Sequence, residues 1–307
     1  MEDSLNLNKY NKVLITGGAG FIGSHIVDLL IENGYEIFVV DNLSSGSESN
    51  LNKSAKFYNL DMTSEKLEEV FAQNKIDYVF HLAAQPSVSS SIKNPTYDAT
   101  ENILGSINVL KFAKKYGVKK IACASTAAVY GIPQYLPVDE NHNTECLSFY
   151  GISKLTMEKY IELFGVDYII FRLANVYGPR QNAHGEAGVV AIFVDKMKNN
   201  ENITIDGDGE QTRDFVYVAD VAKAFLSAIQ SEVKNEIINV STNTSISINK
   251  LFEVMNSNYN YTKKPQYGEE RQGDIKHSVL DNKKCLKSFG FIPKTPIEQG
   301  LGDLASV

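Results

Sequence analysis

Between Lys12 and about Arg172, short apolar runs alternate with segments whose apolar residues recur every three to four positions. The runs KVLIT, EIFVV, AKFYNL, YVFHLA, KKIACAS and DYIIFRL have the length and β-branched or aromatic content of buried strands. Between them, FIGSHIVDLLIEN, EKLEEVFAQN and YGISKLTMEKYIELF have helical spacing, and in the segment from Asn94 to Tyr116, Ile103, Ile107, Leu110 and Ala113 fall on one helical face. Such alternation predicts an α/β fold, a doubly wound parallel sheet with helices on both faces and a ligand beyond the carboxyl ends of the strands. Beyond Gly178 the pattern loosens into a polar, glycine-rich loop, a helix VVAIFVDKMKNN, the short strands NITI, RDFVYV and EIINV, and a helix ADVAKAFLSAIQ. The expected division is 1–177 and 178–307, the latter a smaller substrate-covering lobe, with part of 215–240 returning to the first.

The first strand, turn and helix carry the clearest chemical signal. In KVLITGGAGFIGSHIVDLL, Gly17 permits a sharp turn, Gly20 lets a phosphate approach the backbone, and Gly23 lets the helix lie close. Helix-start N–H groups then face an anion. Asp41 ends the second strand and could accept both ribose hydroxyls of a dinucleotide while repelling a 2′-phosphate, so NAD is expected over NADP. Asp61 could accept the adenine amino group or cap the helix near Ser64. The fourth strand ends in His81, Leu82, Ala83, Ala84 and Gln85, small residues past which a flat cofactor can run; His81 reads as a core histidine. Asn102 can look toward the nicotinamide.

Composition removes other classes of function. A net charge of −7 on 307 residues gives no basic footprint for nucleic acid. No apolar run reaches the length of about eighteen residues needed to span a membrane, and the N-terminus lacks a signal peptide's apolar core, so a cytoplasmic location is expected. Cys123, Cys146 and Cys285 are odd in number and far apart, which suits free thiols. No metal-ligand pattern is seen.

Tyr150 and Lys154 stand four apart on one helix face. A free tyrosine, with pKa about 10, is a poor base at neutral pH; a nearby ammonium and a positively charged nicotinamide favour its phenolate. IACASTAAVYG delivers Ser125 and Thr126 at a strand end, where a hydroxyl can relay a proton between a substrate alcohol and the tyrosine.

TGGAGFIG, ASTAAVYG and YGISK together resemble the extended short-chain dehydrogenase/reductase superfamily, and within it the nucleotide-sugar epimerases typified by the UDP-galactose 4-epimerases. FRLANVYGPRQ, GDGEQTRDFVYVAD and ERQGDIKHS extend the resemblance over nearly the whole chain. It implies a Rossmann-type fold, NAD as cofactor, and a UDP-hexose epimerised at carbon 4 through a 4-keto sugar. Phe21, Ile22, Asp41, Asn42, Asp61, Met62 and Asn102 would contact NAD, with Tyr150 and Lys154 serving cofactor and catalysis. Asn175 would bind the nucleotide sugar, Arg213 and Arg271 its diphosphate, and Asp274 the uridine ribose. Two arginines suit a diphosphate through forked, charge-assisted bonds.

Departures from the family pattern refine this. The strand-end residue is often Ser where Thr126 stands, and either supplies the hydroxyl. Asp206 stands where an aromatic or aliphatic residue often supports the uracil. Ala127 and Ala128 replace the Asp-Glu pair of sugar 4,6-dehydratases, and with Asn182 they replace residues that uronate epimerases often carry, so neutral hexoses are expected. Ser278, four residues past Asp274, matches the position that gates the C2 substituent; being small, it is expected to admit an N-acetyl group. A uronate epimerase or dehydratase of the same family, and a non-catalytic NAD-binding sensor, are the alternatives; intact Thr126, Tyr150 and Lys154 speak against the sensor. Relatives commonly dimerise through two long helices, here about 95–116 and 150–164, so a homodimer is expected.

Overall fold

The computed structural model describes residues 11–182, 188–270 and 275–305. Arg271, Asp274 and part of the GPRQ loop lie outside them. Strands β1 (Lys12–Thr16), β2 (Glu36–Asp41), β3 (Lys56–Asn59), β4 (Tyr78–His81), β5 (Lys120–Thr126) and β6 (Asp167–Leu173) form one parallel sheet. A seventh strand, Glu236–Val240, joins its edge beside β6. Read across the sheet, the order is 236–240, β6, β5, β4, β1, β2, β3, so strand order reverses between β1 and β4. A crevice must open there, where successive crossovers leave in opposite directions.

Helix α1 (Phe21–Glu32) packs with Val218–Gln230 on one face of the sheet. On the other lie α2 (Leu67–Asn74), the short α3 (Val88–Lys93) and α4 (Pro95–Ala99), α5 (Ser106–Lys115) and α6 (Phe149–Phe164). Burial of Val13, Ile15 and Phe80 toward α1, and of Leu14, Phe38 and Val79 toward α5, expresses the strands' two-residue alternation on a sheet covered on both sides.

Two expectations are corrected. The segment from Asn94 to Tyr116 is not one regular helix: α4 leads into wider π turns over Thr100–Gly105 before α5 begins. The extra residue per turn rotates the downstream side chains about the axis, so Ile103 and Ile107 are only half-buried, whereas Asn108, Val109 and Phe112 join Leu110 and Ala113 inside. The segment around 280–291 does not belong with the second lobe's core. Leu280 and Cys285 are buried in the first lobe's core, with Phe289 and Phe291 packed on it. The second lobe has its own core, built from Val190, Phe193, Ile205, Leu251 and Phe252.

Candidate active site

At the reversal point lies a cleft of about 830 Å³. Gly17, Gly20, Phe21, Ile22 and Gly23 form its floor, Asp41, Asn42 and Met62 one wall, and Leu82, Ala83 and Ala84 the other. Gly17 has φ +73°, and a Cβ on it would come within 2.7 Å of the Ala83 nitrogen. A Cβ on Gly23 would stand 2.1 Å from the Gly17 carbonyl oxygen, so this glycine lets α1 close on the turn itself. Gly20 precedes α1 with no side-chain cap, and the first turn holds no acidic residue. The helix therefore offers uncapped N–H donors into the cleft, which fits a diphosphate.

The carboxylate of Asp41 is buried and oriented, accepting from the Ala19 N–H at 3.0 Å and the Leu43 N–H at 2.8 Å. Those bonds leave lone pairs for ribose hydroxyls. Asp61 stands just behind the wall. It accepts from the Thr63 N–H and hydroxyl and from Asn42 Nδ2, and these bonds hold its carboxyl below the usual range against the effect of burial. It caps the Thr63 turn rather than α2, which begins at Leu67.

Asn102 lies close behind the cleft wall. Its side chain is buried and saturated, with Oδ1 accepting from the Gln85 N–H, and Nδ2 donating to the Gln85 carbonyl, Asp98 and Ser153 Oγ. It pins the wall of the cleft from behind instead of facing it. His81 is the core histidine expected, bonded through its two ring nitrogens to Thr16 and Ser106 and pushed down to about 3 by burial and by Lys154.

Beyond the end of β5, the Thr126 hydroxyl stands near the Tyr150 phenol and favours its ionised form. Ser148 caps α6 through the Gly151 N–H, so Tyr150 sits in the first turn, with Lys154 one turn deeper and buried. Burial pushes Tyr150 up to about 12, and the nearby Thr126 hydroxyl counters part of this. Lys154 is lowered by burial, opposed by Cys123, Glu158 and Asp98. The chain alone thus makes a reluctant base, and a cationic ring placed alongside would supply the missing stabilisation of the phenolate.

Where the first part of the chain meets the second, the Asn175 N–H and Nδ2 both donate to the Asp214 carbonyl, next to Arg213. The Ser278 N–H donates to the Thr212 carbonyl, which brings Ser278 beside Arg213. Asp206 precedes a turn with Gly207 and Gly209 at positive φ. Sequence reasoning missed Ser90, Tyr97, Glu101 and Arg180 on the cleft wall. Arg180 also reaches Asp28 on α1 at 2.7 Å, and His25 bonds the Pro179 carbonyl, so the chain leaving the first lobe is clasped to the helix that starts at the cleft. No group of three or more metal-ligating side chains occurs among the described residues.

Residues 13–241 match the model of the NAD dependent epimerase/dehydratase family. A UDP-glucose 4-epimerase of Mycolicibacterium smegmatis is 35% identical over 300 residues, covering 94% of this chain and 96% of its own. The crystal structure of a UDP-glucose 4-epimerase from Thermotoga maritima with UDP-glucose superposes with a TM-score of 0.94 at 45% identity, covering 96% of this chain and 97% of the other. A UDP-N-acetylglucosamine 4-epimerase from Methanobrevibacter ruminantium, in complex with UDP-N-acetylmuramic acid, gives 0.92 at 37%, covering 97% and 98%.

Proposed function

The chain belongs to the NAD-dependent epimerase/dehydratase family, and on that footing we propose that it interconverts UDP-hexoses at carbon 4. NAD is the cofactor. The observation that carries the chemistry is the placing of Tyr150 beside Thr126, with Lys154 buried one turn below and Ala124, on the same strand as Thr126, lining a cleft shaped for a dinucleotide. We assign cofactor binding to 1–177 with the strands and helices that return to it, and nucleotide-sugar binding to the lobe within 178–307.

NAD, when bound, would supply the hydride acceptor and donor for C4 of the sugar. Tyr150, as phenolate, takes the 4-hydroxyl proton, relayed through or beside Thr126 Oγ, and gives it back after the 4-keto sugar has turned over. Lys154 holds the cofactor ribose and lends its charge to the phenolate. Arg213 and Arg271 bind the diphosphate, Asp274 the uridine ribose, and Asn175 the nucleotide sugar. The reaction consumes nothing, so activity needs no added cofactor while NAD stays bound.

Incubating the purified protein with UDP-galactose and following UDP-glucose by NMR tests this. Interconversion without net reduction of NAD is expected. A dehydrated product, or bound NAD with no turnover of any UDP-sugar, would overturn it. Neutral hexoses are expected to turn over faster than UDP-glucuronate, because Ala127, Ala128 and Asn182 offer a C5 carboxylate no cation.

Ser278 is proposed as the residue that admits an N-acetyl group at C2. Ser278→Tyr should abolish turnover of UDP-N-acetylglucosamine and spare UDP-glucose, read as the ratio of the two kcat/KM values. An unchanged ratio would show that another side chain is the gate.

We further propose a homodimer through α3 to α6. Ile92, Leu104, Phe149, Ile152 and Leu163 are exposed there, on elements packed side by side, a concentration of apolar surface that a second copy would cover. Sedimentation of the purified protein tests it. No helix among the described residues is long and apolar enough to cross a membrane. Three unpaired cysteines support a reducing compartment such as the cytoplasm.

A further inference from the structure

One helical turn below Lys154, on the inward face of α6, lies a charged residue that this reaction does not use. Glu158 is fully buried. Its carboxylate accepts a two-pronged bond from Arg172 on β6, Nε to Oε1 at 3.0 Å and Nη2 to Oε2 at 2.7 Å. A third bond comes from Ser125 Oγ. Ser125 and Arg172 are register partners on β5 and β6, and Ser125 immediately precedes Thr126. The Arg172 guanidinium lies 4.8 Å from the centroid of the Tyr130 ring, and the Tyr130 hydroxyl donates to Asn239 on the edge strand at 2.7 Å. One carboxylate therefore ties the helix bearing Tyr150 and Lys154 to two strands, at the point where one of them ends in the reactive threonine.

Stability is a poor explanation for such a group. Taking both charges out of water offsets most of their attraction, and well-packed apolar residues often do as well. A fork between guanidinium and carboxylate does fix direction, which apolar packing does less well. The charge also matters to its neighbours. Lys154 faces Glu158 from α6, Asp98 from α4, Cys123 from β5 and His81 from β4, while Tyr150 faces Thr126, Asp98 and Cys123. Of these, Glu158 has a cation built against it.

We propose that Glu158, held by Ser125 and Arg172, is a positioning residue for the epimerisation: it sets the register of α6 on the end of β5 and, its charge matched by Arg172, leaves the Lys154 ammonium to act on Tyr150. The proposal rests on the roles given above to Tyr150, Lys154 and Thr126.

The decisive variant is Glu158→Gln in the NAD-loaded enzyme. Glutamine keeps the size and an acceptor oxygen but leaves Arg172 as an unmatched positive charge. Added positive charge favours the phenolate, so the acidic limb of kcat against pH should move to lower pH by about half a unit or more, with KM for UDP-galactose unchanged. Arg172→Lys, which keeps the charge, should leave the limb in place. If Glu158→Gln does not fold, the double variant Glu158→Leu with Arg172→Met removes both charges at similar volume. It should lower kcat about tenfold or more through lost geometry, again without moving the limb. A wild-type limb and kcat in Glu158→Gln, or wild-type kcat in the double variant, would overturn the proposal and leave only a structural ion pair. Tyr150→Phe measured alongside separates the two readings. Normal turnover there sinks the base assignment itself, whereas an inactive Tyr150→Phe with an unmoved Glu158→Gln limb sinks only the positioning role.

Discussion

Tyr150→Phe lowers turnover by at least about a hundredfold, the loss typical of removing a positioned general base, while the purified protein still carries NAD. The ring remains in its half-buried site, so only the hydroxyl beside Thr126 is lost. The size of the effect reflects how much the site must do. With Tyr150 pushed up to about 12 by burial, the phenolate would be roughly one part in ten thousand at pH 8. Recovering three units requires about 4 kcal/mol of favourable charge, to be supplied by Lys154 and the cofactor ring together. The sign is fixed too. Phenolate is the working form, so turnover is full above the tyrosine's working pKa in the loaded enzyme and falls as pH drops through it. Steady-state interconversion rates, with bound NAD measured on the same sample, check both statements. A variant with near-normal activity would show that another group takes the proton.

Gly23→Ala abolishes cofactor binding. The added Cβ would stand 2.1 Å from the Gly17 carbonyl oxygen and 2.9 Å from Gly18 Cα, both backbone atoms of the phosphate-facing turn. That same oxygen accepts the Gly20 N–H at 3.1 Å, so the turn cannot yield without losing its own closure. Overpacking of this kind costs about 1–3 kcal/mol in stability, and the moved donors no longer converge on a diphosphate. Gly302→Ala is the control: a Cβ there meets nothing within 4 Å, and the residue lies in the helix Ile297–Ala305. It should bind NAD as wild type does and melt no lower. NAD content and melting temperature of the two variants decide the matter, and a Gly23→Ala protein that purifies with a full complement of NAD would refute the steric argument.

The parts of this molecule legible in the sequence are those specified locally. The β1–turn–α1 unit is written in three glycines and two apolar runs, because the backbone there tolerates little else. The Tyr150–Lys154 pair is likewise a matter of spacing on one helix. The π turns over Thr100–Gly105, which interrupt the helix at Asn102, are not legible, because nothing in TENILG announces the wider turn. Glu158 and Arg172 are illegible because their meaning depends on a helix and a strand being packed together; singly, each looks like a surface charge. The return of 280–291 to the first lobe is hidden for a similar reason. Its apolar residues are ordinary, and what commits them to one side are distant pairings, the bridge between Val138 and Leu280 and the bonds from Asn239 to Asp281 and from Ser241 to Leu280.

The edge strand Glu236–Val240 sets an order of manufacture. It completes the catalytic sheet beside β6 and contributes Asn239, which donates to the carbonyls of Val138 and Asp281, yet it is made only after the stretch 174–235. At about 5–20 residues per second, a ribosome needs roughly 3–12 s to cover that stretch. Through that interval the nascent β6, with Ile169 and Phe171 along it, is an open hydrogen-bonding edge. The chain thus finishes the sheet that holds its cofactor late in synthesis, after Val190, Phe193 and Ile205 of the second lobe's core have been made.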